Sequence, residues 1–244
     1  MESLIRTVSP GDEMFTPKDP EAYFSTGESA VQCIRLALDA AGKEQVDSVL
    51  DFPCGHGRVL RALAAAFPEA ELTACDIDRE GVDFCEAAFN ATGVYSAEDL
   101  STVKLGGDFD LIWVGSLFTH LPDTKWWTFL DFLTERLAPD GLLVLTTHGP
   151  WCAKQIRENN SPLGGARKGH LSMLRGYDAT GFGFAGFKQL EAYGNSLASP
   201  AAVAQRLNAI EGLRLVLYLE RGWSRFQDVV ACQKGFTAPR LQRS

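Results

Sequence analysis

The stretch VDSVLDFPCGHGRVLRALAAAF, residues 46–67, constrains this chain more than any other. A short apolar run enters a glycine turn. The turn opens at once into apolar residues at helical spacing, which stop before Pro68. A strand that turns on glycines straight into a helix opens a βαβ unit, and the end of such a strand is where open α/β sheets take a nucleotide-like ligand. The alternation continues. AELTACDI reads as a strand, REGVDFCEAAFN as a helix, GVYSA as a short strand and FDLIWVGSL as a buried strand. DTKWWTFLDFLTERL reads as an amphipathic helix with Asp123 as its N-cap, and GLLVLTTH as a further buried strand. The helix ESAVQCIRLALDAAGK precedes this series. SPAAVAQRLNAI, a helix on a Ser-Pro cap, and the strands LRLVLYLE and QDVVACQK close it. The link RGWSRF is too short for a crossover helix, so the final strand runs antiparallel. The expected fold is α/β: one domain over residues 1–244, with a doubly wound, seven-stranded, mostly parallel sheet whose last strand is antiparallel.

Composition narrows the function. A net charge of -8 argues against an extended nucleic-acid surface. No apolar run approaches the roughly 20 residues that span a bilayer. The start MESLIRTVSPGDEMF lacks a basic segment followed by an apolar one, so no cleaved signal is expected and the expected compartment is the cytoplasm. The 6 cysteines include no CxxC and read as free thiols. The 4 histidines pair with no cysteine at ligand spacing, so no metal site is expected.

The turn itself selects among ligands. A nicotinamide fingerprint requires a third glycine where Leu60 stands. Asp51 precedes the turn, and a carboxylate there repels a pyrophosphate but suits a cationic group. Asp76, ending the second strand, is placed either to accept hydrogen bonds from ribose hydroxyls or to cap the next helix, a role open also to Asp78. A ligand with a ribose, a cation and no phosphate fits S-adenosylmethionine (SAM).

With these residues the chain resembles the class I SAM-dependent methyltransferases. The resemblance covers residues 46–148, with a similar closing hairpin at 213–234. Its motifs are Asp51–Gly57, Asp76, FDLIWVGSLFTHLP and LAPDGLLVLTTHG, in that order. Pro53 departs from the family, which has glycine there; a proline is tolerated where φ is negative and no N–H is needed. The resemblance implies a cofactor loop of Asp51, Pro53, Cys54, Gly55 and Gly57, with Asp51 and the Gly55 backbone at the methionine ammonium. It implies Asp76 at the ribose, Ile77 next to it among the cofactor-binding residues, and Ala97, Glu98 or Asp99 beside the adenine, Asp99 reading equally as a surface carboxylate. Gly115 and Ser116 form a floor under the methionine part. An N-terminal arm, residues 1–27, folds over the cofactor and brings Tyr23 and Gly27, though YFSTG at 23–27 reads equally as the lead-in to a helix.

The acceptor is less legible. His120 and His148 each follow a buried strand and read either as the base that removes a hydroxyl proton or as structural histidines, His120 as part of a THLP turn with its imidazole bonded to backbone. His56, in the turn, reads as a loop organiser; His170 has no assigned role. Residues 149–198 read as an irregular, substrate-capping insert after the fifth strand. Over 151–176, Lys154, Arg157, Arg167, Lys168 and Arg175 face Glu158 alone. The run is either a solvated loop or, if it folds over the strand ends, one in which Arg157, Arg167 and Lys168 hold an anionic acceptor, with Tyr193 in an aromatic, glycine-hinged lid. The expected activity is methylation of a small polar or sugar-containing molecule, on oxygen and with histidine assistance. Carboxyl methylation, which needs no base, and a non-catalytic SAM-binding module are the alternatives. Nucleic acid is not an expected substrate, and no Asn-Pro-Pro-aromatic motif occurs.

Overall fold

The computed structural model describes residues 4–188 and 190–235. Residues 1–3 of the expected arm, Gln189 of the expected insert and residues 236–244 lie outside the described residues.

In chain order the elements are α1 (Pro20–Ala41), β1 (Ser48–Asp51), α2 (Leu60–Ala66), β2 (Glu71–Asp76), α3 (Arg79–Phe89), β3 (Thr92–Tyr95), β4 (Phe109–Val114), α4 (Asp123–Glu135) and β5 (Leu137–Thr147). There follow α5 (Pro150–Arg157), α6 (Arg167–Thr180), β6 (Phe182–Phe187), β7 (Leu190–Ala198), α7 (Pro200–Asn208), β8 (Leu213–Trp223) and β9 (Gln227–Lys234). Seven strands form one sheet in the order β3-β2-β1-β4-β5-β9-β8. β9 alone runs against its neighbours, pairing antiparallel with both β5 and β8, as its short link requires. The chain leaves β1 toward β2 and β3 and returns on its other side as β4. That reversal opens a crevice beyond the carboxyl ends of β1 and β4, where Asp51 lies in register with Trp113.

Alternation along each strand builds the two faces. Val49, Leu111, Trp113, Val144 and Ala231 meet α1, α2 and α3 on one side. Leu50, Ile112, Val114, Leu143 and Val230 meet α4 and α7 on the other. Among the described residues no helix is long and apolar enough to cross a membrane.

Three local expectations change. α1 begins eight residues early, because Asp19 caps it through the Ala22 N–H at 3.2 Å and Pro20 occupies its first turn. YFSTG is therefore helix rather than arm. Asp123 is not an N-cap: Pro122 holds that place, and Asp123 pairs with Arg206. The insert is not irregular. It folds as α5, α6 and a β6–β7 hairpin around Cys152, Ile156, Leu163, Met173, Leu174 and Leu197. Glycine hid this order: a Cβ on Gly183 would stand 1.8 Å from the Met173 carbonyl oxygen, so the hairpin packs backbone-to-backbone on α6 without an apolar repeat to announce it.

β7 fixes the insert over the crevice. Gly194 and Ser196 donate backbone N–H groups to the carbonyls of His120 (3.0 Å) and Thr119 (2.8 Å), and Ala198 donates to His148 at 2.9 Å.

Candidate functional site

A cleft of about 640 Å³ opens at the carboxyl ends of β1 and β4. Asp51, Gly55, Arg58, Trp113, Ser116 and His120 line it, with Gly11–Met14 of the arm across it. A second, more apolar pocket of about 620 Å³ adjoins it and shares Pro53, Asp76 and Tyr193.

Asp51 ends β1 and is buried, and its Oδ2 has no hydrogen-bond partner. Burial, reinforced by the nearby charge of Asp76, pushes its carboxyl well above the usual carboxylate range, against the Leu60 N–H and the Arg58 charge, which act the other way. A buried carboxylate oxygen without a donor awaits one. Gly55, in the left-handed region at φ 49°, would have nothing within 4 Å of a Cβ, so its backbone is open to a ligand. Asp76 shapes this loop: its Oδ2 accepts the Gly55 N–H at 2.7 Å and its Oδ1 the Asp78 N–H at 2.9 Å. Burial nevertheless raises its pKa, outweighing those bonds. Asp78, not Asp76, caps α3. His56 organises the loop as read from sequence, with Nδ1 at 2.8 Å from Ser9 Oγ and Nε2 at 3.0 Å from Asp78.

Pro53 follows a cis peptide bond and lines both cavities; Cys54 lines the cleft, and Gly57 packs against Phe89 behind it. Ile77, Ala97 and Glu98 line the second pocket. Asp99 does not: its carboxylate accepts the Ser101 N–H (3.0 Å) and hydroxyl (2.7 Å), capping a 3-10 turn. Gly115 and Ser116 line the cleft floor. Tyr23 lies behind the cleft, its hydroxyl bonded to Asp12 at 2.5 Å and receiving Arg61 Nη2 at 3.3 Å. Gly27 is a packing position, where a Cβ would meet the Arg58 carbonyl at 2.5 Å.

The two candidate bases separate. His120 lines the cleft, half-buried, with Tyr193 stacked on it at 5.0 Å. Its Nδ1 donates to the Gly194 carbonyl at 2.5 Å, which leaves Nε2 with a lone pair. Burial lowers its pKa, so the ring is neutral at pH 7. His148 is 3% exposed, stacked on Phe226, and absent from the cleft wall. Burial and the neighbouring His120 hold its pKa down at about 3. It is a core histidine, tied to the Ser196 carbonyl at 3.2 Å.

In the insert, Arg157 pairs with Asp178 and Arg167 lies exposed, away from both cavities. Lys168 lines a third depression of about 770 Å³, between the start of α6 and the β6–β7 hairpin, with Phe184, Phe187, Lys188 and Asn195. The Phe187 ring lies 6.2 Å from that of His120. His170 holds the Gly164 carbonyl at 3.0 Å, a structural contact. Sequence reasoning missed Arg58, Trp223 and Lys188. Arg58 carried a signal, being a cation placed directly after the glycine turn.

Residues 50–143 match the family model described as a methyltransferase domain. The chain is 26% identical over 133 residues to malonyl-[acyl-carrier protein] O-methyltransferase of Acetivibrio thermocellus, covering 54% of this chain and 46% of that protein. It therefore spans about half the length of the curated relative it matches. Among solved structures it is similar to the DhpI–SAH complex (TM-score 0.57, 16% identity, 93% of this chain and 90% of that one). It is also similar to the plantazolicin methyltransferase BamL in complex with a triazolic desmethylPZN analog and SAH (TM-score 0.58, 14% identity, 90% and 92%). A third likeness is to the N-methyltransferase NodS from Bradyrhizobium japonicum WM9 with S-adenosyl-L-homocysteine, SAH (TM-score 0.53, 18% identity, 86% and 87%). At these identities the likeness is one of fold.

Proposed function

We propose that this chain, whose residues 50–143 match a methyltransferase-domain model, is a class I SAM-dependent methyltransferase that methylates an oxygen of a small polar, anionic acceptor, with His120 as the base. The observation that carries the cofactor half is the orphan oxygen of Asp51, which suits the ammonium of the methionine part. Arg58 answers the carboxylate on the same carbon. Asp76 serves the ribose, and Ile77, Ala97 and Glu98 the adenine in the adjoining pocket. Residues 11–14, rather than Tyr23 or Gly27, cover the methionine part.

SAM, when bound, supplies a methyl group on a sulfonium that departs as a neutral thioether. The protein's own work is alignment and exclusion of water. Trp113, Trp223 and Tyr193 wall the reacting end. His120, fixed in its Nε2-acceptor tautomer by Gly194, takes the hydroxyl proton as the oxygen loses it. The depression beside Phe187 suits the rest of the acceptor: Phe184 and Phe187 pack a sugar or apolar face, and Lys168 and Lys188 hold its anion. Carboxyl methylation is the second reading, favoured by these two lysines and by the name of the curated relative. A tautomer-fixed base on an open cleft favours an enzyme over a binding module. We place the protein in the cytoplasm, where the 6 free, buried cysteines suit a reducing compartment.

Calorimetry with SAH and with NAD tests the cofactor. Heat with NAD and none with SAH would overturn it. Methyl-labelled SAM incubated with fractionated small metabolites tests the acceptor. Label is expected in an anionic fraction with the native protein and lost with His120→Ala; label retained with His120→Ala favours a carboxyl acceptor.

A further inference from the structure

Ser116 stands at φ 59°, a left-handed conformation that a serine adopts only when its surroundings impose it. Three bonds impose it. Its N–H donates to Thr146 Oγ1 at 2.8 Å, its carbonyl accepts the Thr119 hydroxyl at 2.8 Å, and its own Oγ accepts from Gln227 Nε2 at 2.7 Å. Thr146 and Gln227 are joined in turn, Thr146 Oγ1 donating to Gln227 Oε1 at 2.6 Å. Each hydrogen in this ring has a fixed direction. Thr146 is fully buried and already accepts from Ser116, so its single hydrogen must go to the Gln227 carbonyl. That sets the amide of Gln227, which then presents N–H to Ser116. Reversing the amide would strand the Thr146 hydrogen in the core. Ser116 Oγ therefore receives a hydrogen from behind, and its own hydrogen is left for the cleft that it lines.

The place where this hydrogen emerges matters. Asp51 is in register with Trp113, and Ser116 lies three residues further along that strand's exit. An acceptor oxygen (Asp51) and a directed hydroxyl donor (Ser116) thus flank the same end of the cleft. The ammonium and carboxylate of an α-amino acid share one carbon and need this pair of opposites.

We propose that Gln227 is a positioning residue for the cofactor's amino-acid end: through Ser116 it aims a hydroxyl hydrogen at the carboxylate. This rests on the cofactor reading above. Calorimetry with two probes tests it, SAH and 5′-methylthioadenosine, which keeps the adenosine and lacks the amino acid. Gln227→Met is expected to weaken SAH about tenfold, the scale of one hydrogen bond to a charged group, and to leave methylthioadenosine within about twofold. Ser116→Ala should reproduce that loss, and the double variant should lose no more than either single one, because both remove one bond. Equal weakening of both probes, unchanged SAH affinity, or additive losses would overturn the relay. If Gln227→Met does not fold, Gln227→Glu in the presence and absence of Ser116→Ala reads the same coupling. Failure of the native protein to bind SAH at all would instead remove the cofactor reading.

Discussion

His120 and Gly194 hold each other twice: the Gly194 N–H donates to the His120 carbonyl at 3.0 Å, and His120 Nδ1 donates to the Gly194 carbonyl at 2.5 Å. The ring is thereby locked to the insert in one tautomer. Because burial lowers its pKa below the ordinary 6.5, the basic form persists to lower pH than for a free histidine. For a hydroxyl acceptor, turnover should stay level from pH 8 to below 6.5 before it falls, and His120→Ala should cut it by about 10²–10⁴-fold. SAH affinity should be unchanged. A pH profile that falls with a midpoint above 6.5 would assign the base elsewhere.

Asp51 should show opposite effects on folding and on binding. Its raised pKa means that the ionised form is a burden in the empty cleft, one that is relieved as pH falls through the raised value. Asp51→Asn should therefore raise the melting temperature of the ligand-free protein at pH 7. The same change should weaken SAH by about 1–3 kcal/mol, since the amide answers an ammonium poorly. Thermal melts with and without saturating SAH check both signs. A ligand-induced shift as large as the native one would exclude Asp51 from the site.

Legibility followed periodicity and chemistry. The sheet order and the antiparallel β9 were readable because buried strands advertise themselves as apolar runs and because RGWSRF is too short to hold a helix. That Asp51, Gly55 and Asp76 meet at one cleft follows from their places at the carboxyl end of β1, in the glycine turn and at the carboxyl end of β2, all of which the sequence pattern marks. His120 and His148 looked alike in sequence, each at a strand's exit; only packing against Phe226 tells that His148 faces the core. Of the two readings of YFSTG the helical one holds, because the Asp19-Pro20 cap starts α1 ahead of its apolar repeat. Arg157 was misread because Asp178, its partner, lies a helix away.

Arg61 is 1% exposed, and its guanidinium is held by carbonyls rather than by a carboxylate. It donates to Gly57 at 3.1 Å, Ile5 at 2.8 Å and Thr7 at 2.9 Å, with the faces of Tyr23 and Phe89 each 5.2 Å away. It thus ties the arm to the cofactor loop. Arg61→Met should cost about 3 kcal/mol, as three carbonyls lose their donor. Cleavage in residues 5–12 by a nonspecific protease should rise, and SAH affinity should fall with the loss of the arm that carries Asp12 and Met14. Unchanged proteolysis would mean that the arm is held by other contacts.

His148 should act on stability through pH. Its pKa is held down at about 3 in the folded protein, against about 6.5 in the unfolded chain. Its stabilising share is therefore complete above pH 6.5. It is lost as pH falls, because the unfolded chain takes up a proton that the folded ring refuses. The slope approaches about 1.4 kcal/mol per pH unit, so the share lost by pH 5 is about 2 kcal/mol. His148→Phe keeps a ring against Phe226 and removes the titration, while leaving the Ser196 carbonyl without its donor at a cost of about 1 kcal/mol. Urea unfolding of both proteins at pH 8 and pH 5 separates the two effects. Asp51, Asp76 and Asp228, whose raised pKa values act in the opposite direction, are common to both proteins and cancel in the difference. The variant should be the less stable at pH 8 and the more stable at pH 5. A difference that stays constant between the two would show that His148 titrates alike folded and unfolded, and so that it is not sealed in the core.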